Sequence, residues 1–234
     1  MNIVKPYARM LPPAGCLRDF QHCDGVELLR RIEWCARISH RSEEAVTPLS
    51  YDRFIRSVVL NHGDWSVVEH ASVSVDFYVD RGVTHELVRH RLFAFTQEST
   101  RFVNYEKKMP PSFVMPDLAD DPRPIPPRSE LSQVEQWRHA INTCEQSYRE
   151  LIAFGVAPQI ARSVFPNALA SRIVITGNLR NWRHFLLMRT TKEAHPQMRE
   201  VTIPLLEQFK ATIPILYEDI EPLASQGENL RKGR

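Results

Sequence analysis

The chain is poor in glycine, with 8 in 234 residues, and it contains neither a GxGxxG run nor a Walker loop. Dinucleotide-binding and P-loop folds need such glycines so that backbone can approach phosphate. Any nucleotide here is therefore bound by side chains and helix ends. Cysteine is scarcer still. Cys16, Cys23, Cys35 and Cys144 form no CxxC pair and no finger-like spacing, which leaves a zinc site or redox motif without support and reads as reduced thiols. There is no apolar run of about 18 residues and no apolar leader segment after Met1, so the expectation is a cytoplasmic protein without a membrane partner.

One-signed charge is lacking as well. The formal net charge is +2, which excludes whole-molecule attraction to nucleic acid and leaves only local patches. Lysine occurs six times among the 30 Lys and Arg residues, which leaves 24 arginines. Arginine suits bidentate contacts to phosphate and carboxylate, but most of the 24 are compositional bias, and only those clustered with other polar groups carry weight.

At 43% hydrophobic and 25% charged, the composition is that of an ordinary globular protein. Asp24 and Glu27 form a candidate capping box for a first helix through Ile38. Thr47 and Pro48 open a second, which stops at Gly63. Residues 71–80 alternate strictly, with Ala71, Val73, Val75, Phe77 and Val79 on one face and Ser72, Ser74, Asp76, Tyr78 and Asp80 on the other. This predicts a strand with one buried and one polar face, ended by Gly82.

The segment His85–Phe95 places Leu87, Val88, Leu92, Phe93 and Phe95 at roughly helical spacing and reads as one short helix. Seven prolines then fall between Pro110 and Pro127, a linker between domains or a long surface excursion. Ser129 caps a long amphipathic helix closed by Gly155, and Pro158 starts a short one carrying Arg162. Leu169, Ser171, Ile173 and Ile175 mark a second strand, and Asn178 caps a helix through Met188. The last helix, after Pro196, is expected to kink or break near Pro204. The class is α+β with helices dominating.

Chemistry gathers at Arg89-His90-Arg91, followed by Gln97-Glu98-Ser99-Thr100-Arg101. On one helix Arg89 and Arg91 would stand about 200° apart, so they serve two ligands or one ligand at an interface. His85 and His90 are five apart rather than four, and Arg89 occupies the position a second zinc ligand would need, so a metalloprotease helix is rejected. The hydroxyls, carboxamide and guanidinium of Gln97–Arg101 suit a phosphate plus a base edge. Two further clusters join them: Asn178, Arg180, His184 and Arg189 on one helix, and Ser66 through His70 ahead of the first strand.

Together these elements resemble the flavin-dependent thymidylate synthases. The Arg89-His90-Arg91 triplet with seven residues to Ser99 is similar to that family's signature. Ser66-Val-Val-Glu69-His70, Glu86-Leu87-Val88, Arg162 after Ile-Ala, Asn178-Leu-Arg180, Arg189 and Ala194-His195-Pro-Gln follow in family order.

The resemblance implies one domain over residues 1–234, with the excursion at about 109–128. Its fold packs helices around an antiparallel or mixed sheet, in a homotetramer with shared active sites. The implied reaction is reductive methylation of dUMP to dTMP for nucleotide biosynthesis. Its ligands are FAD, NADPH as reductant and 5,10-methylenetetrahydrofolate as carbon donor, with no metal and no nucleic acid.

By position, Ser66, Arg89, His90, Arg91, Gln97, Asn178, Arg180 and His184 fall on the flavin. Glu86, Leu87, Val88, Arg89, Gln97, Glu98, Ser99, Thr100, Arg101, Arg162 and Arg189 fall on the nucleotide, with Arg189 the catalytic group that polarises the uracil. Departures exist. Gly63-Asp64 stands where many members carry Gly-His, with His62 displaced; His184 replaces a common asparagine and Phe102 a common tyrosine. The rival readings are a nucleic-acid-binding module and an inactive flavoprotein.

Overall fold

The computed structural model describes residues 1–11, 24–106, 109–118 and 131–224. The elements in order are β1 (Asn2–Val4), β2 (Tyr7–Met10), α1 (Gly25–Arg37), α2 (Ser50–Ile55), β3 (Ser72–Asp80), α3 (Arg81–Leu87), β4 (Ala94–Gln97) and β5 (Ser112–Val114). They continue with α4 (Gln133–Ala153), α5 (Pro158–Ala161), β6 (Ala170–Asn178), α6 (Leu179–Arg189), α7 (Pro196–Thr212) and α8 (Pro214–Tyr217). Four strands form a sheet in the order β2-β3-β6-β4, and β1 pairs in parallel with β5. The β3–β6 pair is antiparallel: Leu179 N–H donates to Ala71 O at one end and Arg81 N–H to Leu169 O at the other. The α+β expectation with an antiparallel sheet is what the chain adopts.

Two compact units emerge, interleaved along the sequence. The first comprises Met1–Pro6, Tyr78–Leu87 and Gln97–Ile173; the second comprises Tyr7–Phe77, Val88–Thr96 and Val174–Arg234. The proline-rich stretch lies inside the first unit's longest segment, so it does not divide one unit from the other.

In the first unit, α4 presents Ile141 and Tyr148 to Tyr105, Phe113, Ala161 and Leu169, the buried cluster around which Trp137 and Phe165 pack. The helix starts later than the sequence suggested. Its cap is Ser132, in a full capping box with Glu135, whereas Ser129 lies outside the described residues. Gly155, at φ 81°, ends the helix as expected, since the left-handed conformation there favours glycine.

The second unit is built on Trp182, Phe185, Phe209 and Tyr217, with Trp182 stacked near Phe77 and its indole N–H bonded to Val73 O at 2.9 Å. The α1 cap is Asp24, as read, accepting from the Val26 and Glu27 amides. The second helix departs from expectation. Ser50 Oγ accepts from the Thr47 amide and donates to buried Glu33, which makes a turn of Pro48 and Leu49; α2 begins at Ser50 and runs into a π-helical turn over Arg56–Asn61. Helix α7 runs through Pro204 without ending, and Val201, Leu205 and Leu206 are buried around that position.

Two further expectations are corrected. The polar face of β3 is only partly solvated: Ser72 is exposed and Ser74 and Tyr78 are half-buried, but Asp76 is fully buried, taking the Arg9 guanidinium at 2.9 Å, and buried Asp80 accepts the Val83 amide and so caps α3. The strand ends at Asp80, just before Gly82, which sits inside α3. The helix expected over residues 85–95 ends at Leu87, after which the chain turns and enters β4. Arg89, His90 and Arg91 occupy that turn, so the angular argument for a helix does not apply to them.

Candidate functional site

The turn that carries the triplet is held in place by α6. Asn178 Oδ1 accepts the Asn181 amide at 2.8 Å, a standard N-cap, and Asn181 Nδ2 in turn donates to Leu92 O at 3.0 Å. The cap of the helix and the shape of the arginine turn are thus linked through one asparagine.

Two cavities flank this link, both within the second unit. The larger, about 1080 Å³, is lined by Val88 to Phe93 together with Asn181, His184, Met188 and Arg189. The smaller, about 600 Å³, is lined by Asn178, Arg180, Arg183 and Leu187 from α6, with Trp65, Glu69 and Leu92 opposite. Leu92, Asn181 and His184 belong to both. Arg180 and His184 share a cavity wall, as their four-residue spacing predicts, and Arg189 joins His184 in the larger one.

Within the larger cavity Arg189 Nε donates to His90 Nε2 at 2.9 Å. An arginine Nε carries hydrogen at any ordinary pH, so the imidazole nitrogen facing it must present a lone pair. Burial foremost, then the Arg189 charge and the neighbouring His184, lower the His90 pKa to about 4. His90 is accordingly neutral near pH 7, with its proton on Nδ1. Its ring meets Phe185 edge to face, with centroids 4.9 Å apart.

The smaller cavity contains two paired arginines. Arg180 Nη1 lies 2.6 Å from Glu69 Oε1, both about half exposed. Arg183 is buried and binds Asp219 through both terminal nitrogens, at 2.7 and 2.6 Å, with the Trp65 ring 4.8 Å from its carbon. It is a structural cation with one edge on the cavity.

A separate cluster lies in the first unit. Gln97 donates to Thr84 Oγ1 and Ser171 Oγ, each at 3.1 Å, and Arg162 Nη1 donates to the buried Thr100 hydroxyl. Ser99 Oγ accepts the Arg101 amide at 3.3 Å, which makes residues 99–103 a tight turn with Arg101 exposed. Glu98 accepts the Tyr105 hydroxyl at 3.1 Å, and burial foremost, with the nearby Glu98 charge, pushes that phenol well above its usual pKa. Leu87 is a core side chain, 1% exposed, whereas Glu86 is half-buried.

Ser66 is exposed and lines neither cavity, although its neighbours Trp65 and Glu69 line the smaller one. His62 is exposed and lines neither. Sequence reasoning misses Asn181 and Trp65, and it takes Leu92 and Phe93 only as the apolar face of a helix, whereas all four line the cavities. For Asn181 a signal existed, three residues after Asn178 and three before His184 on one helix face.

A family model described as "Thymidylate synthase complementing protein" matches residues 26–215. The chain belongs to the flavin-dependent thymidylate synthase family. Curated relatives with that name include the protein of Mycobacterium tuberculosis strain H37Rv, 34% identical over 210 residues that cover 81% of this chain and 78% of that one. The Corynebacterium efficiens relative is 34% identical over 223 residues, 90% of this chain and 85% of its own. Among solved structures, a UMP/dUMP methylase, PolB, from Streptomyces cacaoi bound with 5-Br dUMP superposes with a TM-score of 0.69 at 22% identity, covering 93% of this chain and 96% of that one. That likeness establishes that the two chains share a fold. Among the described residues no group of His, Cys, Asp and Glu could hold a metal ion, and no helix is long and apolar enough to cross a membrane.

Proposed function

We propose that this protein is a flavin-dependent thymidylate synthase that methylates dUMP to dTMP, with 5,10-methylenetetrahydrofolate as carbon donor and NADPH as reductant. The observation that carries the reading is the arginine-lined pair of cavities around the Arg89-His90-Arg91 turn, in a chain 34% identical to synthases of that name.

The donor set fits a flavin dinucleotide. Arg89, Arg91 and Arg180 bring cations for a diphosphate, while Leu92, Phe93, Leu187 and Met188 supply apolar surface for an aromatic ring system. Asn178 and His184 add hydrogen-bonding groups on the same helix. When bound, the flavin supplies the hydride, drawn from NADPH, that completes the methyl group.

The remaining chemistry belongs to the chain. Arg189 stabilises negative charge on the uracil oxygens and so favours the electron-rich form of the ring whose C5 then gives its electron pair to the one-carbon unit; no covalent enzyme nucleophile is needed. Ser99 is a turn residue whose hydroxyl accepts the Arg101 amide, which suits a phosphate contact better than a nucleophile. Within the first unit, Gln97, Thr100, Arg101 and Arg162 offer a polar set suited to the nucleotide's phosphate, with Arg162 and Thr100 already joined. Assembly as a homotetramer with shared sites is part of this proposal.

The test is the visible spectrum of the purified protein, followed by anaerobic NADPH with and without dUMP. Oxidised-flavin absorption that bleaches faster with dUMP supports the reading. A colourless protein that FAD does not reconstitute overturns it.

A further inference from the structure

We propose that His90, the central residue of the arginine triplet, is a positioning residue for Arg189: its Nε2 lone pair holds the Arg189 Nε–H and so sets the direction in which the guanidinium faces the larger cavity. This inference rests on the proposed synthase reading for what Arg189 does. The pairing itself does not.

Contacts of its backbone and of its side chain make Arg189 a fixed group rather than a swinging one. Its carbonyl accepts the buried Thr202 hydroxyl at 2.7 Å, which ties the end of α6 to α7. Its Nε is held by His90 at 2.9 Å. The His90 ring is itself clamped, edge to face with Phe185 at 4.9 Å and with Phe93 at 6.4 Å. Because the Nε–H bond lies in the guanidinium plane, fixing it fixes where the two terminal nitrogens point.

A neutral imidazole is required for this task. A protonated ring would offer N–H to N–H and repel the guanidinium. The low basicity of His90, from burial first and then from the Arg189 charge and neighbouring His184, keeps the accepting form in place. A carboxylate at position 90 would also accept, but it would neutralise the very charge that Arg189 contributes. Imidazole holds the arginine without quenching it.

An orientation device shows itself in turnover rather than in binding. His90→Gln keeps an acceptor where Nε2 stood, and His90→Leu removes it. With FAD held saturating, we expect His90→Leu to lose roughly 10- to 100-fold in kcat, the range for a hydrogen bond to a charged group, with the KM for dUMP within about threefold. Glutamine should recover most of that loss. Independently of activity, the ¹⁵N–¹H signal of Arg189 Nε should be protected from exchange in the wild type and in His90→Gln, and lose that protection in His90→Leu.

The inference is overturned if glutamine is as poor as leucine, if the Arg189 signal is unchanged in His90→Leu, or if His90→Leu loses flavin yet regains full kcat on reconstitution. A wild-type protein that forms no dTMP overturns the synthase reading instead, and the exchange experiment still decides the pairing.

Discussion

Arg180 and Glu69 form an ion pair of 2.6 Å on the wall of the smaller cavity, 111 residues apart in sequence. One of the cavity's cations is thus partly neutralised by a carboxylate beside it. Both groups are about half exposed, so the pair contributes little to stability, on the order of 1 kcal/mol or less. Its effect falls on ligands. Glu69→Gln should leave the melting curve almost unchanged and tighten flavin binding severalfold at low salt, an advantage that shrinks as salt is added. A fluorescence titration at two ionic strengths measures it, and weaker flavin binding by the variant would show that Glu69 organises Arg180 instead.

Arg183 plays the opposite part. Its side chain is 4% exposed and its charge is matched by Asp219 and the Leu216 carbonyl, which fasten the segment after α8 to α6. Asp219→Ala leaves a buried guanidinium without its carboxylate and should cost about 2–4 kcal/mol. Urea unfolding followed by circular dichroism gives the value. A loss below about 1 kcal/mol would mean that solvent replaces the carboxylate freely.

Gly177 faces Phe93 so closely that an added Cβ would stand 2.3 Å from its ring. That ring also packs on Trp182 and sits one residue before β4, in the turn bearing the triplet. Gly177→Ala should therefore displace Phe93 and the turn together, destabilising by about 1–3 kcal/mol and lowering flavin content on purification. Retention of full colour with an unchanged melting temperature would contradict the coupling.

The low pKa of His90 makes a signed contribution to stability. Above the ordinary histidine pKa of about 6.5 the ring is neutral in folded and unfolded chains alike and has no effect. As pH falls below that value the unfolded chain takes up a proton that the folded one refuses until about pH 4, so stability is lost across this window and the loss levels off below it. His90→Gln should lose less melting temperature than the wild type between about pH 7 and pH 4.5. Parallel curves would place the His90 pKa near its ordinary value.

What was legible in the sequence was local. The Asn178 cap is a contact of three residues, and the alternation in β3 is a two-residue period, so both could be read directly. The length of the helix before the triplet could not. Leu92, Phe93 and Phe95 satisfy helical spacing, but β4 pairing and Phe93's packing on Trp182 take that segment into the sheet, a long-range gain that periodicity does not register. The alternation places Asp76 on the polar face but does not reveal its burial, because its partner, Arg9, lies 67 residues away.

The site divides in the same way. The arginines, His90 and His184 were visible as residue types in a motif. The bonds that connect them, Arg189 to His90 and Asn181 to Leu92, span 99 and 89 residues and exist only once the strands are paired. Ser66 was chosen from its motif, whereas its neighbours Trp65 and Glu69 line the cavity. A short helical turn separates adjacent side chains by direction, and sequence position does not specify which of them faces inward.

The central claim is tested most directly by incubating the purified protein with dUMP, 5,10-methylenetetrahydrofolate, NADPH and FAD, then quantifying both nucleotide and folate products by mass spectrometry. The account predicts dTMP together with an equal amount of tetrahydrofolate, dependent on flavin and abolished by Arg189→Ala in a protein that remains folded and yellow. Absence of dTMP, or dTMP formed equally well without flavin and with Arg189 removed, would contradict it.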